Sequence, residues 1–198
     1  MKITPGWKDA EGIGLKDMGW ALEYEGSIES EENIEIEIGS KWLKLSGSLK
    51  TKLSITAGEG ITAGSGITAG EGITAGEGIT AGSGITAGEG IEAGSGITAG
   101  EGIKAGWGIK AGEGITAGEG ITAGEGITAG EGIKAGEGIT AGLSITCKKV
   151  LQWSFNLFAG TAVWKKPTDE ECMIEAGELQ GGEVKYGIVK LLHKEEKK

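Results

Sequence analysis

The chain has 198 residues, 41 of them glycine and only two proline, and its 29 acidic side chains outnumber 19 basic ones for a net charge of −10. All nineteen basic residues are lysine. With neither a basic stripe nor the bidentate arginine fork, the chain is not expected to bind nucleic acid directly. No apolar run reaches the ~20 residues of a membrane-spanning helix, and Met1-Lys2-Ile3-Thr4-Pro5 is not followed by a signal-peptide core, so a cytoplasmic protein without membrane contact is expected. Glycine recurs at offsets of two and four rather than three, which excludes collagen.

Residues 1–54 read as an N-terminal cap with lead-in strands. The alternation Ile34-Glu35-Ile36-Glu37-Ile38 predicts a strand with one buried face, and Leu43 and Leu49 already keep a six-residue phase. From Ile55 to Ile145 an isoleucine falls at every sixth position, sixteen without a miss, in the hexad Ile-Thr-Ala-Gly-Glu-Gly. A unit this short cannot bury its own apolar face, so the copies must stack into a solenoid with Ile and Ala inside. The invariant fourth-position Gly, Gly58 to Gly142, predicts a corner with positive φ. Leu53-Ser54 opens the array and Leu143-Ser144 closes it, which suits packing against terminal units. Residues 147–198 are expected to form a separate C-terminal cap with an aromatic-rich insertion (Trp153, Phe155, Phe158, Trp164), after which the hexad returns out of phase at Ile174. Tyr186 to Leu192 reads as a strand and Lys194 to Lys198 as a charged tail. Cys147 and Cys172 flank the insertion; a pairing is open, and two buried thiols are the simpler reading.

An aliphatic residue with Gly at the corner, repeated in hexads, resembles the left-handed parallel β-helix of hexapeptide-repeat proteins. That resemblance implies an all-β, parallel β-solenoid of triangular section with eighteen residues per coil, over residues 55–146. One position departs from the family. Where a small inward side chain is usual, the fifth position here holds Glu ten times, Ser three times and Trp107 once. A buried ladder of like charges is untenable. Either the fifth position points outward, or the coil is a flattened loop of two hexads.

Enzymatic chemistry lacks its residues. Acyltransferases on hexapeptide-repeat helices use a histidine base, and the one histidine is His193, in the lysine-rich tail. No P-loop, dinucleotide fingerprint or metal-ligand spacing occurs, and no cofactor or metal is expected. Calcium-binding glycine-rich repeats carry Asp and a longer spacing. Ice binding would want two threonine columns, whereas Thr fills one position per hexad, interrupted at Glu92, Lys104, Lys110 and Lys134. With eighteen residues per coil, Lys110 would lie one coil from Glu92 as a cross-strand ion pair.

The repeat carries eleven glutamates and three lysines, a net of −8. The expected functional surface is therefore an acidic ridge of Glu101, Glu113, Glu119, Glu125, Glu131 and Glu137, with Trp107 as a contact anchor. The expected partner is a basic protein surface such as that of a DNA- or RNA-binding enzyme, the solenoid acting as a decoy for nucleic acid. Pentapeptide-repeat proteins that resemble DNA are the precedent. The hexads are also similar to repeats in phage and mobile-element proteins, where inhibitors of host nucleases or CRISPR effectors are common. The alternative is a structural rod, spacer or fibre protein that assembles with itself through its C-terminal unit.

Overall fold

The computed structural model describes residues 1–192; His193 and the Lys194–Lys198 tail lie outside them. Seven short strands precede the perfect repeats: β1 (Lys2–Ile3), β2 (Lys16–Asp17), β3 (Ala21–Tyr24), β4 (Ile28–Ser30), β5 (Ile34–Ile36), β6 (Trp42–Leu45) and β7 (Leu49–Thr51). Sixteen three-residue strands follow, β8 (Ile55–Ala57) to β23 (Ile145–Cys147), each taken from the first three positions of a hexad. The chain closes with β24 (Val150–Phe158), a 3-10 turn at Glu170–Cys172, β25 (Met173–Ala176), β26 (Glu178–Tyr186) and β27 (Ile188–Leu191).

Every third strand pairs in parallel, with Ile73 opposite Ile55 and Ile91, and Ile79 opposite Ile61 and Ile97. The coil therefore holds eighteen residues and has three sides, and the two-hexad loop is not formed. One face is a ladder of ten strands from β1 to β27, one strand for each coil. Period-two alternation within each strand sends positions one and three inward and position two outward. Between Ile55 and Ala141 no inward Ile or Ala is more than 4% exposed. Removing apolar area from water in this way is the main favourable term of the fold.

The solenoid runs beyond the perfect hexads in both directions. Ile34, Leu43 and Leu49 stack against Ile55, Ile61 and Ile67. Downstream, residues 147–158 do not form the separate packing unit expected of the C-terminal cap. Instead β24 continues two faces at once, placing Leu151 on Ile133 and Leu157 on Ile139. Trp153 is buried with them, and the hexad that returns out of phase in sequence is in register in space, Ile174 opposite Ile145. The chain leaves the wall between β24 and β25, where Val163 and Trp164 are exposed, and re-enters it in the ten-strand ladder, where β25 pairs with β23.

Cys147 takes the alanine position of the last hexad, opposite Ala129; it and Cys172 are free and buried. Burial pushes the Cys147 thiol up to about 11, so it stays protonated and unreactive near neutral pH.

The corner glycines are explained by contact rather than by dihedral angle. Positive φ occurs at Gly12, Gly19, Gly26, Gly39, Gly160 and Gly187, all outside the repeat, which corrects the left-handed corner expected from sequence. A Cβ on Gly76 would instead lie 2.0 Å from the carbonyl oxygen of Gly58, and one on Gly94 1.9 Å from that of Gly76. The ladder continues through this corner, the Gly76 amide donating to the Ala57 carbonyl at 3.1 Å. At the sixth position there is more room: a Cβ on Gly102 would lie 3.3 Å from Gly120 O.

Three substitutions separate these cases by urea unfolding. Gly100→Ala, whose Cβ would meet Gly82 O at 2.0 Å, should destabilise by about 2 kcal/mol or more. Gly102→Ala should cost under about 1 kcal/mol. Gly58→Ala, with nothing within 4 Å, should stabilise by about 0.4–1 kcal/mol through the unfolded chain. Equal costs at all three would contradict the corner contact. A thiol reagent offered to the native protein should modify neither cysteine until the chain unfolds.

Candidate functional site

No fifth-position side chain is buried, so the carboxylates face solvent. Eighteen residues per coil then distribute them over three corners. Backbone hydrogen bonds between successive fifth positions trace each column. One runs Leu53, Glu71, Glu89, Trp107, Glu125, Leu143; the second Glu59, Glu77, Ser95, Glu113, Glu131, Lys149; the third Ser65, Ser83, Glu101, Glu119, Glu137. The six glutamates singled out from sequence therefore do not share one ridge. Glu101, Glu119 and Glu137 stack on the third corner, Glu113 and Glu131 on the second, and Glu125 sits beside Trp107 on the first.

Neighbouring coils are ~4.8 Å apart, so glutamates on successive coils of one column, such as Glu101, Glu119 and Glu137, repeat their charge at that interval. The 92 residues from Ile55 to Thr146 stand ~25 Å tall, and their net of −8 gives one negative charge per ~3 Å of axis. Duplex DNA carries one per ~1.7 Å and each of its strands one per ~3.4 Å.

Few of these charges are neutralised. Glu131 pairs with Lys149, Trp42 Nε1 donates to Glu77 and Ser54 Oγ to Glu71. Among the described residues Glu101, Glu113, Glu119, Glu125 and Glu137 make no ion pair or side-chain hydrogen bond, and no group of three or more acidic, Cys or His side chains is placed to hold a metal ion. The Glu92–Lys110 pair expected from the coil length is formed at 2.7 Å. Threonines make one outward column on each face, such as Thr62, Thr80, Thr98 and Thr116 in sequence along one of them. Among the described residues no helix is long and apolar enough to cross a membrane.

Trp107 is 54% exposed and borders a groove of about 460 Å³ along the first corner. Sixth-position glycines Gly72, Gly90, Gly108 and Gly126 line it together with Glu89, Trp107 and Glu125 and with Thr74, Glu92, Lys110 and Thr128. Lys110 is held by Glu92, so the unneutralised charge here comes from Glu89 and Glu125, one coil to either side of the indole. An aromatic face flanked by carboxylates suits a cationic side chain, by cation–π attraction and charge.

Sequence spacing exposed the Glu92–Lys110 pair but not the corner role of Trp42, whose indole lies over Gly60 and Gly78 two coils in succession. No motif announces that contact. Trp107→Ala should leave stability within about 0.5 kcal/mol, since the indole is largely exposed, and should weaken binding of a lysine-rich probe peptide at least tenfold by calorimetry; Trp107→Phe should retain most of the affinity.

No protein-family model matches this chain, and neither a curated protein nor a solved structure matches it.

Proposed function

We propose that this chain is a non-enzymatic acidic binding protein that offers its corners to a basic protein surface in place of a nucleic-acid strand. The observation that carries the reading is the linear charge density, one net negative charge per ~3 Å of a rigid axis, close to that of a single nucleic-acid strand. Glu101, Glu113, Glu119, Glu125 and Glu137, none of them paired among the described residues, and the Trp107 groove supply the contact surface. Its partner is a DNA- or RNA-binding enzyme acting in the cytoplasm, and the biological setting that fits is a phage-encoded anti-defence protein of the anti-CRISPR type.

Like charges stacked at ~4.8 Å repel, and a fold selected for stability alone would intersperse lysines between them. Lysines do alternate with glutamates near the N-terminal end, where Lys50 pairs with Glu29 and Lys44 with Glu23. Among the described residues Glu101, Glu119 and Glu137 on the third corner have no such partner. That contrast favours display of charge over solubility as the use of the corner.

Immobilised protein exposed to cell lysate should retain nucleic-acid-binding proteins, and duplex DNA should displace them. Affinity for a retained partner should fall steeply with salt. Reversing one corner, E101K/E119K/E137K, should reduce that affinity at least 100-fold at low salt. Retention indifferent to DNA and to corner reversal would contradict the decoy reading; recovery of the protein alone would favour the structural rod.

A further inference from the structure

The two ends of the solenoid are finished differently. At the N-terminal end the inward side chains Ile3, Leu22, Tyr24 and Ile28 are buried. A loop lies beside them in which Trp7 packs edge-on against Tyr24 at 5.3 Å and Asp9 accepts a hydrogen bond from the Tyr24 hydroxyl at 2.6 Å. Pro5, which has no amide hydrogen, follows β1.

Among the described residues the last coil has no such loop over it. Val189 stacks on Ile174 in the inward column yet is 43% exposed, and Leu191 stacks on Ala176 yet is 50% exposed. Among the described residues β26 pairs only with β24, and β27 only with β25, so the outer edges of both are free. Charged residues do lie along these strands, among them Glu183, Lys185 and Lys190, and β26 meets β24 with register shifts; among the described residues it is the inward register that stays uncovered. The inward register of this coil holds Leu179, Val184, Val189 and Leu191, with no inward charge, and neither proline falls within it.

We propose that a second copy of this chain covers this end, C-terminal coil against C-terminal coil, about a two-fold axis perpendicular to the solenoid axis. A single partner that pairs with all three sides at once must present strand edges around the same section, and the last coil of another copy does so. The two-fold axis reverses the direction of circulation, so the edges meet antiparallel, in the more stable of the two ladders. Such a contact is isologous and stops at two copies. Head-to-tail stacking into a fibre is blocked by the Trp7–Tyr24 loop. One coil's section is small beside the ~800 Å² per partner of a standard interface, so the dimer should dissociate in the micromolar range. The proposal is independent of the charge-display reading and leaves the corners of both arms free.

Sedimentation velocity and small-angle scattering on the full chain, from about 1 to about 300 µM, test it. A monomer–dimer equilibrium is expected, with the long dimension roughly doubling from the ~50 Å given by ten strands in the longest ladder. V189K/L191K, which places charge on the open section, should stay monomeric, with the circular dichroism of the parent and with its Tm at about 1 µM, where the parent too is monomeric. A parent monomeric throughout, a dimer that does not lengthen, species larger than a dimer, or a folded variant that still dimerises would each overturn the proposal. Should the variant fail to fold, the parent's oligomeric state and length decide by themselves.

Discussion

The close contact of one coil with the next at the glycine corner is the constraint on which the rest of this structure depends. A Cβ at the fourth position would fall about 2 Å from a carbonyl oxygen one coil away, at Gly64, Gly70 and Gly76 alike. Removing that Cβ lets the chain turn while adjacent coils keep their hydrogen bonds through the bend. The isoleucine column then stays in vertical register, with Ile55, Ile61, Ile67 and their successors at 0–1% exposure. Packing and hydrogen bonding thus require the same geometry, the consistency across levels that specifies a single fold.

That register also decides the surface. Because the coil closes after eighteen residues rather than twelve, glutamates adjacent in sequence go to different corners and glutamates three hexads apart stack. Charge is delivered as three columns along a stiff axis, each with its own character. The third is unbroken from Glu101 to Glu137, the second ends in a Lys149 ion pair, and the first is interrupted by Trp107 between Glu89 and Glu125. A partner meeting the first corner finds an aromatic anchor, and one meeting the third finds charge alone.

Much of the fold was legible because isoleucine recurs without a miss, and a fixed period in a repeat too short to fold alone has few structural solutions. Glu92 and Lys110 were legible for the same reason, since two substitutions eighteen residues apart compensate one another only in a coil of that length. The cause of the corner glycines was not. Positive φ and close approach both demand glycine, and only neighbouring coils distinguish them. The C-terminal turns were hidden by the excursion through Val163 and Trp164, which breaks the sequence phase while leaving the spatial register of Ile174 intact. The candidate site was half legible: its residues were visible one by one, but their grouping awaited the coil length, and the open edge of β27 has no signature in a single strand's sequence.

Cysteine pairs on one outward face measure that length most directly. Thr98 lies opposite Thr116 on neighbouring strands, a separation of about 4.8 Å that a disulfide can span. T98C/T116C should close an intramolecular disulfide under mild oxidation while T98C/K110C, at the spacing of a two-hexad coil, remains reduced. Closure of the second pair and not the first would mean that the glutamates are grouped otherwise, and the columns described for the three corners would not exist.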